Sequence, residues 1–132
     1  MGLRLITALS LICLWSPVLG EADSAGLFST SDAVVHLDSA NFQRTVTGTD
    51  HAWFVDFYST WCGHCVRFAP VYKAFGRDIE DWYKVMRVGA IACSSSGNSP
   101  TCRRYDIWGY PTVKVGSKYS QQVKIIDTQA TI

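Results

Sequence analysis

The sequence predicts an α/β fold with a central mixed sheet flanked by helices. Three observations carry that reading. Strand-like apolar runs alternate with helix-like stretches through most of the chain, in the order β-α-β-α-β-α-β-β, and such alternation pairs strands in parallel through crossover connections. The last two runs follow each other without a helix between them, which implies a hairpin and makes the sheet mixed. The pair in Cys62-Gly63-His64-Cys65 stands where the second strand-like run gives way to the longest helical stretch. Two thiols at that junction can open and close a disulfide with little backbone movement.

The first 20 residues read as a secretory signal peptide. Arg4 precedes an apolar run over 5–15, and Gly20 offers a small residue at the cleavage point. The alternative, a membrane anchor, needs about 20 apolar residues, more than this run provides. Residues 21–32 are small and polar and read as a flexible lead, so 33–132 is the folded domain. A short strand is expected at 33–37. Asp38 or Ser39 is placed to cap a short helix over 40–45. After a turn at 48–50, residues 52–58 are apolar except for Asp56, the pattern of a strand buried on both faces.

From Cys62 a long helix is expected, apolar at Phe68, Val71, Tyr72, Phe75 and Ile79. Pro70 should kink it and Gly76 weakens it. Val85, Val88, Ala90 and Ile91 mark a second buried strand. Residues 94–100 form a loop, 101–105 one or two helical turns, 112–115 a strand, 116–117 a turn and 122–126 a last strand. Trp53, Phe57, Phe75 and Trp82 are expected in the core. His36 and His51 have no partner pattern and read as ordinary surface or strand-end residues.

The length of 132 residues suits one domain with a modest core. Removing residues 1–20 takes away one basic residue, Arg4, and leaves 11 of each sign. No basic patch or acidic tail stands out, so neither nucleic acid nor an anionic lipid surface is implied as a partner. Of five cysteines, Cys13 leaves with the leader and four remain. An exported chain meets an oxidising compartment, where an even number of thiols is expected to pair. Three pairings are possible. The local one, Cys62 with Cys65 and Cys93 with Cys102, is favoured because each closes a short loop.

A thiol attacks only as its thiolate, and an isolated cysteine titrates near ~8.5. Cys62 at a helix N-terminus would meet unpaired N–H groups and the positive end of the helix dipole. Cys65 can donate a hydrogen bond to it, and a positively charged His64 would favour the thiolate further. Histidine there favours the reduced pair and makes the disulfide a stronger oxidant. Cys62, first in the helix, is the expected attacking sulfur and Cys65 the resolving thiol. Zinc binding would need a second paired ligand set, and Cys93 and Cys102 with eight residues between them lack that spacing. No metal is expected.

Asp56 lies six positions before Cys62. A buried acid there has a raised pKa and can take the proton of Cys65; at a strand edge it would merely face solvent. Tyr110-Pro111-Thr112 holds a candidate cis peptide, although an ordinary trans proline at a strand start is also compatible. Facing the disulfide, it would expose backbone groups to a substrate strand. Trp61, Tyr110 and Pro111 are the expected substrate-binding residues. A disulfide between Cys93 and Cys102 reads as structural. A second redox pair is the lesser alternative, because that loop offers no helix N-terminus to a thiolate.

The stretch Phe57-Tyr58-Ser59-Thr60-Trp61-Cys62-Gly63-His64-Cys65, with Gly109-Tyr110-Pro111-Thr112 downstream, resembles a thioredoxin-fold domain of the protein disulfide isomerase superfamily over about residues 33–115. Arg67-Phe68-Ala69-Pro70 after the motif, and the second pair beginning 31 residues beyond Cys62, are similar to the first thioredoxin domain of the quiescin-type sulfhydryl oxidases. The resemblance implies that Cys62 and Cys65 oxidise dithiols of reduced secretory proteins or peptides, with Cys93–Cys102 structural. It implies electron transfer to the FAD of a flavin domain further along a full-length relative, with no cofactor bound by this chain. Few residues follow Pro111, so the terminal helix of the fold is expected to be missing and the domain C-terminally incomplete. The implied location is the endoplasmic reticulum and Golgi lumen and the extracellular space, with a parent protein held in the Golgi membrane as a further option. A disulfide isomerase-like protein without flavin and a redox-silent, chaperone-like binding module are the alternatives.

Overall fold

In a computed structural model, the chain is described over residues 26–117 and 124–125. The expected leader, the start of the lead, the fate of the C-terminal helix and most of the last strand lie outside the described residues. Five strands form one sheet: β1 Val35–Leu37, β2 Ala52–Tyr58, β3 Met86–Ala92, β4 Thr112–Gly116 and β5 Lys124–Ile125. Their order is β1-β3-β2-β4-β5. β2 runs parallel to β3, from Ala52 opposite Met86 to Tyr58 opposite Ala92. It runs antiparallel to β4, from Trp53 opposite Gly116 to Phe57 opposite Thr112. The mixed sheet expected from the sequence is therefore present, with the β4–β5 hairpin antiparallel.

The central position of β2 explains its composition. With a neighbour on each edge and a packed layer on each face, both alternating sets of side chains are inside. Trp53, Val55 and Phe57 join Leu37, Phe42, Val46, Ile91, Cys102 and Ile107 in one core. The opposite face carries Phe54 and Tyr58 against helix α1, Gly63–Asp78, whose Cys65, Ala69 and Tyr72 complete the second core. A short helix α2, Ser99–Arg104, and a wide π-type turn at Gln43–Thr47 cover the first core. Asp38 Oδ1 accepts from the N–H groups of Ala40 and Asn41, each at 2.8 Å, in the turn that leads into Gln43–Thr47; that element's own N-cap is Phe42, without a side-chain cap.

Four expectations are corrected. Residues 26–32 are not a free lead. Phe28 is buried, edge-on to Tyr58 and Tyr72, and Asp32 pairs with Lys73 of α1 at 2.9 Å. Phe28 with Leu27 packed on the same core, and the Asp32–Lys73 pair, anchor the segment. Trp82 is 60% exposed, because the 3-10 turn Glu80–Trp82 links α1 to β3 outside both cores. Val71 is exposed, since the buried stripe of α1 runs through Cys65, Ala69, Tyr72 and Gly76 and Val71 stands about a third of a turn off it. The short helix begins later than expected and is a single wide turn. Helix α1 continues through Pro70, which removes one N–H from its ladder.

Gly76 has a packing role that its helical position hides. A Cβ there would stand 2.4 Å from the carbonyl oxygen of Ala33. Helix propensity alone predicts that Gly76→Ala stabilises by about 1 kcal/mol. The close approach predicts the opposite, a loss of about 1–3 kcal/mol from forced backbone displacement, readable as a lower urea midpoint in chemical denaturation of the full chain.

Candidate active site

The site is built at the carboxyl end of β2. After Tyr58 the chain turns through Ser59, Thr60 and Trp61, and Cys62 becomes the N-cap of α1 in an extended conformation (φ −84°, ψ 117°). The Cys62 N–H donates to the Ser59 carbonyl at 3.3 Å. The Cys65 N–H donates to Cys62 Sγ at 3.3 Å. The sulfur thus takes the place of the oxygen that a serine or aspartate cap presents to a first-turn N–H. A helix N-terminus and an N–H aimed at the sulfur both favour negative charge there. Cys62 is partly exposed, Cys65 is buried, and neither is bonded to another cysteine. Cys62 is therefore the sulfur of the pair that solvent reaches.

Cys65 is held in its neutral form. Burial first, and the hydrogen bond with Cys62 second, push its thiol up to about 12, with the charges of Cys62 and Asp56 adding to the effect. Asp56 is 1% exposed, so the solvent-facing reading of this acid is excluded. Burial alone raises its carboxyl to about 7. Its Oδ1 has no hydrogen-bond partner. The Tyr72 hydroxyl on the same face is engaged elsewhere, 3.0 Å from the carbonyl oxygens of Phe54 and Gly89.

The Tyr110–Pro111 peptide is cis, and the Tyr110 carbonyl accepts from Cys62 Sγ at 3.6 Å. Trp61 stands edge-on to Tyr110 with ring centroids 6.3 Å apart. The motif, the cis proline and both aromatic side chains therefore form one surface. Trp61 on this surface is 76% exposed, and Trp108, two residues before Tyr110 in the chain, is 87% exposed. Trp108 was not singled out in the sequence, where nothing separates it from a core tryptophan.

The second pair is bonded: Cys93 and Cys102 form a disulfide with Cα atoms 6.0 Å apart. The next residue, Ser94, accepts from the Thr60 N–H at 3.3 Å through its hydroxyl, so the clipped loop touches the loop carrying the motif. Beside Thr60 and Trp61 lies a cleft of about 580 Å³, whose walls include Leu37, Tyr58 and Asn98. His64 is exposed, and its Nδ1 lies 3.0 Å from Arg67 Nη2. This contact was also missed, although the three-residue spacing on one helix was the available signal.

Among the described residues, no group of three or more His, Cys, Asp or Glu is arranged to hold a metal. Among the described residues, the buried polar atoms without partners, His51 Nδ1, Asp56 Oδ1 and Ser59 Oγ, are spread along β2 and its two ends and do not converge on a flavin-sized cradle.

A redox-type Cys-x-x-C capping a helix beside a cis proline, on a mixed sheet, defines a thioredoxin-fold redox domain. The chain belongs to the thioredoxin family, whose profile matches residues 33–131. Sulfhydryl oxidase 1 of Cavia porcellus is 37% identical over 110 residues, 83% of this chain and 18% of that protein. Sulfhydryl oxidase 2 of Mus musculus is 36% identical over 120 residues, 90% of this chain and 17% of that protein. Among solved structures, the Trx4 domain of ERdj5 superposes with a TM-score of 0.57 at 33% identity, covering 64% of this chain and 69% of that one. The J-Trx1 fragment of ERdj5 gives 0.61 at 27% identity, covering 70% and 43%. These likenesses are consistent with a quiescin-type thioredoxin domain, and the chain spans less than a fifth of the length of those two oxidases.

The buried acid carries a pH signature. Asp56 titrates near its ordinary value when unfolded and at about 7 when folded, so the folded state binds the extra proton between about pH 4 and 7 and stability falls with rising pH across that window. Asp56→Asn is expected to stabilise the chain at pH 8 by about 2–4 kcal/mol, with the gain gone at pH 4. Urea unfolding at the two pH values checks this; an equal gain at both would remove the titration as its cause.

Proposed function

We propose that this chain is a thiol–disulfide oxidoreductase that oxidises dithiols of proteins in the secretory pathway, as the substrate-facing domain of a flavin-linked sulfhydryl oxidase. The observation that carries it is the Cys62 sulfur capping α1, partly open to solvent, over a buried Cys65 and a buried Asp56. The likeness to sulfhydryl oxidases 1 and 2 supports the direction of the chemistry.

In the oxidised form a substrate thiolate attacks Cys62 Sγ. The Cys62–Cys65 bond breaks, a mixed disulfide forms and Cys65 leaves as a thiolate. A thiol pushed up to about 12 is a poor leaving group unless it is protonated. The Asp56 carboxyl, raised to about 7, holds a proton to give in neutral solution. A second substrate thiolate then attacks its own sulfur in the mixed disulfide, releasing the substrate disulfide and the Cys62 thiolate. Two electrons have passed to the chain, and Asp56 takes the Cys65 proton when the pair is oxidised again. The acceptor of those electrons is assigned to the FAD domain of a full-length relative.

Trp61, Tyr110 and Pro111 are assigned to hold the substrate strand, with aromatic surface for apolar side chains and backbone groups for pairing. A luminal or extracellular location is assigned on the support of the expected signal peptide and of a disulfide, Cys93–Cys102, that suits an oxidising compartment.

Oxidised chain mixed with a reduced dithiol peptide should yield peptide disulfide. Cys62→Ser should bring this to background. In the reverse direction, Cys65→Ala mixed with the disulfide form of the peptide should accumulate a mixed disulfide at Cys62, with one peptide thiol released, seen by mass spectrometry. Oxygen uptake is expected only after addition of a sulfhydryl oxidase flavin domain. Exchange with no uptake in either case would move the reading to an isomerase-like protein. Exchange that survives Cys62→Ser would overturn it.

A further inference from the structure

Arg67 lies one turn into α1 and its guanidinium folds back over the start of the helix. Nη2 is 3.0 Å from His64 Nδ1. Nη1 is 3.6 Å from the point where a Cβ on Gly63 would stand. The guanidinium therefore covers the turn that begins at Cys62. No acidic residue occupies that first turn, and the salt bridge formed among the described residues joins Lys73 to Asp32 instead. A guanidinium only donates and keeps its charge at any working pH. His64 Nδ1 must then be the acceptor, which puts the proton of the neutral ring on Nε2. The sequence pointed to His64 as the source of positive charge at the motif; the geometry points to Arg67.

We propose that Arg67 is a positioning residue for the Cys62–Cys65 couple, holding His64 through Nδ1 and keeping a permanent positive charge over the turn that starts at Cys62. This rests on the reading that the pair exchanges with thiols. A fixed cation there favours the thiolate of the reduced pair over the neutral disulfide, so it makes the disulfide a stronger oxidant. The charge sits at the surface, so salt weakens its effect.

The test is equilibration of the full chain with mixtures of reduced and oxidised glutathione, in which the dithiol and one oxidised glutathione give the disulfide and two reduced glutathiones. Arg67→Ala should shift the equilibrium constant toward the disulfide by about three- to tenfold at low salt. Most of that shift should vanish at about 1 M salt. Arg67→Lys should keep part of the charge effect without the fork that grips His64. Melting temperatures close to wild type would show that the shift is not a folding effect. An Arg67→Ala constant within twofold of wild type at low salt, with wild-type exchange normal, overturns the assignment. A wild-type chain that does not exchange with glutathione at all removes the exchange reading, and the Arg67 assignment with it.

Discussion

Burial of β2 on both faces and both edges is the constraint on which the rest of the structure depends. It requires an apolar strand, and the one exception, Asp56, is 1% exposed. The same strand ends where α1 begins, so the carboxyl placed inside it and the sulfurs placed after it are fixed relative to one another by the sheet. A carboxyl in that setting keeps its proton to about pH 7 because of desolvation.

The two cysteines of the motif divide the chemistry through access and hydrogen bonding. Cys62 stands at a helix end with an N–H directed at its sulfur; Cys65, three residues on, is buried in the apolar core under α1. The protein thus leaves one sulfur open at a helix end and holds the other, buried, in its neutral form within a single helical turn. Asp56 lies on the buried side of that turn and Arg67 on the open side, so the groups that carry protons and charge are separated by the helix itself.

Much of this was legible in the sequence because it depends on local spacing. The apolar run of β2, the Cys-x-x-C at its end and the Cys93–Cys102 loop are all short-range patterns with a direct physical meaning. What the sequence hid depends on packing between distant segments. Phe28 is a lone aromatic in a polar stretch, and only the surface of α1 and Tyr58 makes it a core residue. Trp82 and Val71 have the composition of core residues, and their exposure follows from the orientation of one turn and one helix face. Gly76 reads as a weak point in a helix until the Ala33 carbonyl is found against it.

The Thr60–Ser94 contact brings two disulfide couples to the same end of the sheet. Cys62 opens to solvent, while Cys93 and Cys102 are 7% and 4% exposed. Two couples so near each other would scramble if both could be reached by an attacking thiolate. Burial insulates one of them, so electrons entering this end of the molecule have a single terminal, and the route they take is set by which sulfur can be touched.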